Sequence, residues 1–260
     1  MKIEKYKIET LNGKLQYSIS GNGKPNIVLI NGGSGPIEAW VKILPEISKT
    51  SSVFSYNRFG IGGSDKPKEP QDGLAIVKTL HEALKLVGFD PPLLLVGHSL
   101  GGLYANLYAR LYPNDVAGII FIESSHPKDL SLNEFQGKAI KTINKLFTMF
   151  DSLSSYKQYN EVNFVKDTVI QIQQNDTFPE IPVYVITGGK ENRMIPEEVR
   201  RKRVEHQLEY LSLSKKSKHM VADNSGHFPQ LSEPRVVINT IKDCANQLIT
   251  TNNKVEGNIL

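Results

Sequence analysis

An α/β fold built on a doubly wound, mostly parallel sheet is predicted by three features of this 260-residue chain. Continuous apolar runs, which are typical of strands buried on both faces, alternate with longer segments in which apolar residues recur at helical spacing. One of these runs, at 92–96, leads through Gly97-His98-Ser99-Leu100-Gly101 directly into a helical pattern over 103–109. The length also suits one large hydrophobic core, because α/β folds of this size are usually single domains.

The elements before this junction begin with a hairpin. Asn12-Gly13, a dipeptide favoured in tight hairpins, separates strand-like segments at 2–10 and 14–20. The segment 74–87 repeats apolar residues at helical spacing and ends at Gly88, a natural helix cap. Between them, the pattern predicts a fully apolar strand, a helix and a second strand over 26–30, 37–48 and 52–56.

The elements after the junction continue the alternation. The helix that follows Gly101 extends to about residue 111, and the apolar run at 116–122 predicts the next strand. Strand–helix alternation of this kind predicts parallel strands with helices on both faces. The last predicted elements are a strand at 182–187, a helix at 196–213, a short strand at 218–222 and a final helix from Glu233.

One long segment interrupts the alternation after the strand that ends near Glu123. It contains no convincing strand, and residues 132–153 and 156–174 predict two or three amphipathic helices. Ligands in such sheets bind beyond the carboxyl ends of strands, so we expect a helical cap, although extra core is the alternative. The predicted organisation is a core of residues 1–123 and 181–250, a cap of residues 124–180 and a flexible tail of residues 251–260.

Composition narrows the class of function. The net charge of +4 comes from 31 basic and 27 acidic residues that are dispersed, so nucleic-acid binding is not expected. No apolar segment is long enough to span a bilayer, and the start has no signal-peptide core. The single cysteine, Cys244, fits plain packing in a reduced, cytoplasmic setting. No short-spaced set of metal ligands is present, and no feature predicts an oligomeric state.

The junction itself predicts a nucleophile. A strand that turns sharply into a helix leaves Ser99 in a strained backbone conformation, and residues without side chains fit best on either side. The turn lifts the hydroxyl clear of the sheet. The first amides of the new helix, starting with Leu100, then point to where an oxyanion would form.

Four segments resemble the α/β-hydrolase superfamily, and the resemblance covers nearly the whole chain. Besides the junction at Ser99, they are Asn31-Gly32-Gly33-Ser34-Gly35, the loop 56–65 and Ser225-Gly226-His227-Phe228-Pro229. The family has a His-Gly oxyanion loop, an Asp-Arg-x-Gly-x-Gly-x-Ser loop and a histidine-bearing segment at these places. Asn31 replaces the usual histidine and Asn57 the usual aspartate. The resemblance therefore implies that the oxyanion loop is held by different hydrogen bonds from those in the family.

A serine hydroxyl needs a neutral imidazole to accept its proton during attack. His227 follows a short strand and lies in a flexible Ser-Gly loop, so we predict it to be the base. His98 is adjacent to Ser99 but should point away through the turn, and we interpret it as structural. His126 lies at the mouth of the expected cap and could contact substrate. Surface or strand-end positions are predicted for His81, His206 and His219.

The base needs a carboxylate to fix its tautomer, and two candidates remain. Glu191 follows the late strand, where the acid most commonly lies in the superfamily. Glu123 ends the strand next to the one before Ser99, the position used by a minority that includes the haloalkane dehalogenases. The run Glu123-Ser124-Ser125-His126-Pro127 also resembles close relatives, and we favour Glu123. The alternative for each residue is a solvated or sheet-edge charge.

The second oxyanion donor is predicted in the glycine-rich loop Gly32-Gly33-Ser34, most plausibly the amide of Gly33, with Ser34 adjacent to the substrate. A tight turn would need the same glycines. The resulting hypothesis is a cofactor-free serine hydrolase that cleaves a small-molecule acyl substrate, a carboxylic ester above all, through an acyl-enzyme. Proline iminopeptidase-like, other amide, thioester, lactone or carbon–carbon cleavage stays open, as does a ligand receptor with little turnover.

Overall fold

The computed structural model describes residues 3–130, 157–191 and 195–256. One sheet holds eight strands in the order β1-β2-β4-β3-β5-β6-β7-β8. The bounds are Tyr6–Thr10 for β1, Gly13–Ser20 for β2, Asn26–Ile30 for β3, Ser52–Asn57 for β4, Leu93–His98 for β5, Val116–Ile122 for β6, Val183–Gly188 for β7 and Ser217–Ala222 for β8.

The helices of the described residues connect these strands. They are Leu44–Ile47 (α1), Gly73–Leu86 (α2), Gly101–Leu111 (α3), Val165–Gln173 (α4), Glu197–Glu209 (α5), Pro229–Ser232 (α6) and Pro234–Glu256 (α7). Single 3-10 turns cover Ile37–Trp40, Lys157–Tyr159, Glu161–Phe164 and Tyr210–Leu213.

The sheet is parallel except at its first edge. β1 pairs antiparallel with β2, and β2 pairs antiparallel with β4, whereas all pairs from β4 through β8 are parallel. The chain leaves β3 toward β4 and then returns to β5 on the other side of β3. The strand order therefore reverses between β3 and β5, and the crevice beyond their carboxyl ends is where ligands bind in such sheets.

Helices cover both faces of the sheet, as the predicted doubly wound fold requires. Alternate residues of β3 and β5, such as Val28 and Leu95, join one buried cluster with α2 and α3. The residues between them, such as Ile27 and Leu94, join a second cluster with α1 and α7. β3, β5, β6 and β7 thus each have residues in both clusters and are buried on both faces, which explains their continuous apolar sequences. β8, at the edge of the sheet, is largely exposed.

The segment predicted as a cap lies partly outside the described residues. The predicted helices over 132–153 fall entirely outside the described residues. The later stretch, 156–174, contains α4, which packs against α2 and α3 and adds Val169 and Ile172 to the first cluster. This part of the segment therefore packs against helices of the core.

Among the other differences from the predicted bounds, two have a physical reason in the sequence. The helix expected over 37–48 is a 3-10 turn followed by the short α1, because Pro45 has no N–H to donate and starts a new helix. The last helix continues to Glu256, inside the segment 251–260 predicted as a flexible tail. Polar composition does not itself end a helix, and no glycine or proline interrupts the chain between Pro234 and Gly257.

Candidate active site

Ser99 lies at the turn from β5 into α3. Its φ of 52° is left-handed, a conformation that costs energy in any residue with a side chain. The glycines around it are required by close backbone approaches. A Cβ on Gly97 would lie 2.8 Å from the carbonyl oxygen of Gly101, and a Cβ on Gly101 would lie 2.2 Å from that of Ile30. The predicted strained turn is confirmed.

Ser99, His227 and Glu123 form one hydrogen-bonded row. The hydroxyl of Ser99 lies 2.9 Å from Nε2 of His227, and Nδ1 of His227 lies 3.4 Å from Oε2 of Glu123. Ser99 is 2% exposed, so its hydroxyl is held in a largely enclosed position. His227 comes from the loop between β8 and α6, which meets the turn after β5 at the carboxyl edge of the sheet.

Glu123 is held in place from two sides. Its N–H donates to the carbonyl of Ile186, and its Oε1 accepts the N–H of Gly188 at 2.6 Å. Burial raises the pKa of Glu123, but the hydrogen bond and charge of His227, aided by Arg203 and the Gly188 N–H, outweigh burial, and the net pKa is lowered. The carboxylate is therefore ionised at neutral pH, the state that orients and stabilises an imidazolium.

Glu191, the other carboxylate candidate, lies elsewhere. Its side chain is 69% exposed and forms an ion pair of 3.4 Å with Arg200 of α5. The structure thus brings Glu123, and not Glu191, to the ring of His227.

His98, interpreted from the sequence as structural, contacts the loop that carries His227. Its Nε2–H donates to the backbone carbonyl of His227 at 2.7 Å, while its ring meets Trp40 edge-on. Burial and the nearby His227 lower the pKa of His98 to about 3, so it stays neutral. His98 thereby fixes the loop that carries His227, a contact across 129 residues that no local pattern signals.

The loop 31–35, which we call the oxyanion loop after its predicted role, lies against Ser99. A Cβ on Gly32 would come within 3.1 Å of the Cβ of Ser99. Among the described residues, no acceptor takes the N–H of Gly33 or of Leu100, so both amides can donate to a ligand. The N–H of Ser34 instead donates to Oε1 of Glu161 at 2.7 Å.

The two asparagines that depart from the family pattern make different contacts. Asn57 accepts the N–H of Ile37 at 2.8 Å and donates to the side chain of Gln16 at 2.7 Å, so it braces the start of the 3-10 turn. Asn31 reaches only the carbonyl of Tyr56, at 3.4 Å. Its own side chain therefore holds the oxyanion loop weakly.

His126, expected near the substrate, follows directly after Ser125, whose N–H donates to the carbonyl of Ser99. Its ring meets Tyr210 edge-on at 4.7 Å between centroids, and burial lowers its pKa to about 4. The histidine is thus a neutral, partly buried group close to the site. Each of the three other histidines contacts a different residue: His81 stacks on Tyr112, His206 bonds to Asp129, and His219 bonds to Thr187.

Neither a metal-binding group of side chains nor a membrane-spanning helix is found among the described residues. Over 3–130, 157–191 and 195–256, no group of three or more histidine, cysteine or acidic side chains could hold a metal ion. In the same ranges, no helix has both the length and the apolar character needed to cross a bilayer.

The fold and site define an α/β protein with a serine, a histidine and a carboxylate aligned at the carboxyl edge of its sheet. Comparison with known proteins agrees: the alpha/beta hydrolase fold family matches residues 25–154. The chain therefore belongs to the alpha/beta hydrolase fold family. Membership supports hydrolysis as the class of activity.

Individual relatives are distant. The chain is similar to the protein YqjL of Bacillus subtilis (strain 168), with 23% identity over 223 residues, covering 86% of this chain and 84% of YqjL. Seven further curated relatives are matched over 33% or less of their own length.

Solved structures share the fold across almost the whole chain. A putative lipase from Acinetobacter baumannii AYE superposes with a TM-score of 0.68 and 18% identity, covering 96% of this chain and 93% of the lipase. A serine hydrolase involved in carbazole degradation, CarC, superposes with a TM-score of 0.66 and 17% identity, covering 95% of this chain and all of CarC. At this identity, the similarity establishes the fold alone.

Proposed function

We propose that this protein is a serine hydrolase that cleaves a small carboxylic ester through an acyl-enzyme. Ser99 is the nucleophile, His227 the general base and acid, and Glu123 the carboxylate that orients the ring. The observation that carries the proposal is the row from Oγ of Ser99 through His227 to Glu123, with contacts of 2.9 Å and 3.4 Å.

In the first half-reaction, Nε2 of His227 accepts the hydroxyl proton as Oγ of Ser99 attacks the ester carbonyl carbon. The carbonyl oxygen becomes an oxyanion, which accepts hydrogen bonds from the N–H groups of Leu100 and Gly33. Collapse of the tetrahedral intermediate breaks the bond to the alkoxy oxygen. The imidazolium of His227 protonates that oxygen, and the alcohol leaves.

In the second half-reaction, water takes the place of the alcohol. His227 accepts a proton from the water as its oxygen attacks the acyl carbon of the Ser99 ester, and the same two amides hold the oxyanion again. Breaking the bond to Oγ releases the acid, and His227 returns the proton to Ser99. Glu123 stays ionised throughout and stabilises the imidazolium.

We also propose that residues 124–180 cover the substrate side of the core formed by residues 1–123 and 181–250. The segment starts one residue after Glu123, so it begins at the carboxyl edge of the sheet, beside Ser99. Among the solved structures of this fold, one is named a putative lipase and another a serine hydrolase, and both names agree with a serine-dependent hydrolysis.

The direct test is hydrolysis of p-nitrophenyl esters of increasing acyl length by the full chain and by Ser99→Ala. We expect turnover in the wild type and a loss of several orders of magnitude in kcat for Ser99→Ala. The control is Ser212→Ala, since Ser212 is exposed and donates to the carbonyl of Glu209 far from the row. This control should keep wild-type kcat.

A second measurement separates an enzyme from a receptor. A fluorophosphonate probe labels any activated serine, so labelling is compared with release of p-nitrophenol. Multiple turnovers per labelled site support the hydrolase. Stoichiometric labelling of Ser99 with negligible turnover would contradict it and favour a ligand receptor.

A further inference from the structure

A buried ion pair lies behind the oxyanion loop and is not part of the catalytic row. Arg58, which follows β4, donates to both carboxylate oxygens of Glu161, with Nη2 at 2.8 Å from Oε1 and Nε bonded to Oε2. Their side chains are 3% and 4% exposed. Glu161 belongs to the segment between β6 and β7, 103 residues from its partner.

Both charged groups bind the backbone of the oxyanion loop. Arg58 donates from Nη1 to the carbonyl of Asn31 at 2.9 Å and from Nη2 to the carbonyl of Gly32. Glu161 accepts the N–H of Ser34 at 2.7 Å. The amide of Gly33, proposed above as an oxyanion donor, therefore lies between two residues whose backbone groups are held by this pair.

The conformation of the loop requires such a constraint. Ser34 has a φ of 52°, a left-handed conformation that a residue with a side chain keeps only when its surroundings impose it. Asn31 supplies little support, because its Nδ2 reaches one carbonyl at 3.4 Å and its buried Oδ1 has no hydrogen-bond partner. A charged pair with fixed, multiple hydrogen bonds is the stronger support.

A buried pair is a poor device for stability alone. Removing two charges from water offsets much of their attraction, and apolar replacements of similar volume are often as stable. The pair instead fixes the conformation of the oxyanion loop, because the planar guanidinium and the carboxylate each bond to the loop backbone at a set distance and direction.

We propose that Glu161 is a positioning residue that sets the oxyanion loop in its reactive geometry through Arg58 and the N–H of Ser34. The inference rests on the proposed function and deepens it: the oxyanion site is complete only when the segment that carries Glu161 is docked. Formation of the oxyanion site is thereby coupled to the seating of this segment on the core.

The first test is Glu161→Gln, which keeps the size of the side chain but removes its charge. We expect kcat for p-nitrophenyl acetate to fall about 100-fold with KM within about threefold of wild type, since an oxyanion donor acts in the transition state. The amide of Ser34 should exchange hydrogen for deuterium faster than in wild type. Glu161→Asp should recover part of both.

The matched control is Glu180→Gln. Glu180 also accepts a backbone N–H, that of Lys215 at 3.0 Å, and the hydroxyl of Ser214, but it has no contact with the oxyanion loop. We expect its kcat and the exchange rate of Ser34 to match the wild type.

A double variant, Arg58→Met with Glu161→Leu, separates positioning from stability and serves if the single variant does not fold. Because no buried charge is left unpaired, its thermal midpoint should be close to that of wild type. Its kcat should stay about 100-fold reduced. Recovery of wild-type kcat in the double variant would overturn the proposal, because the pair would then act only through stability.

The exchange measurement keeps this inference distinct from the proposed function. Absence of ester turnover in the wild type would refute the proposed hydrolase function. Faster exchange of the Ser34 amide in Glu161→Gln would still show that Glu161 holds the oxyanion loop. Unchanged exchange together with kcat within threefold of wild type would refute the positioning role while leaving the hydrolase standing.

Discussion

Replacing Glu123 by glutamine tests the identity of the carboxylate with almost no change in shape. The glutamine oxygen can still accept the N–H of Gly188, so the fold around β7 should be kept. Its NH₂ group would face Nδ1 of His227. That arrangement favours the tautomer with the proton on Nε2, which cannot accept the proton of Ser99.

The size of the effect follows from this contact. A wrong tautomer costs about 10⁴ in kcat in a well-formed serine triad. The 3.4 Å between Nδ1 and Oε2 is at the long limit of a hydrogen bond, so we expect a smaller loss, about 10³. That loss corresponds to about 4 kcal/mol of transition-state stabilisation.

The assay is kcat and KM for p-nitrophenyl acetate in Glu123→Gln and in Glu191→Gln, with thermal midpoints for both. Glu191 is 69% exposed and its ion pair with Arg200 is a surface contact, so its variant should stay within twofold of wild type. If Glu191→Gln lost activity while Glu123→Gln stayed within tenfold of wild type, the choice of Glu123 from geometry would be wrong.

Three further predictions follow from burial and backbone geometry. The pKa of Glu123 in the folded protein lies below its ordinary value of 4.5, so its ionised form stabilises the fold above pH 4.5, and this contribution disappears as pH falls through the lowered pKa. Urea unfolding from pH 3 to 7 should therefore show that the difference in free energy of unfolding between wild type and Glu123→Gln becomes smaller in acid. A difference that does not change with pH would contradict this. Gly101→Ala should lower the free energy of unfolding by about 3 kcal/mol, because the added Cβ would lie 2.2 Å from the carbonyl oxygen of Ile30. Gly226→Ala should leave it nearly unchanged in the same assay, because the atom nearest to its added Cβ is 3.9 Å away. Burial raises the pKa of Cys244 to about 12, so a thiol-disulfide reagent at pH 8 should react only after denaturation, and fast reaction of the native protein would be the contrary result.

The sequence by itself determined the features that depend on neighbours along the chain. The apolar runs predicted parallel strands, because a strand that is covered on both faces is apolar at every position and does not alternate with polar residues. The turn at Ser99 was also predictable from the sequence, because the close backbone approaches at positions 97 and 101 leave room only for glycine.

Only the tertiary structure shows which of the two candidate carboxylates lies beside His227. β6 and β7 are adjacent parallel strands, so residues that follow either one lie at the same edge of the sheet. Glu123 follows β6 at once and turns inward with a φ of 43°, while Glu191 lies beyond the end of β7 and is exposed. Sequence position alone cannot distinguish these, because the direction of a side chain at a strand end depends on local backbone angles.

The tertiary structure alone also revealed Glu161 and the role of His98. Glu161 is one acidic residue in a segment predicted from its apolar spacing, and a charge there indicates a solvated face. Only the folded chain brings it to Arg58 and buries both, and only the fold joins His98 to the carbonyl of His227. These contacts span more than a hundred residues, so chain packing, rather than any local preference, brings the groups together.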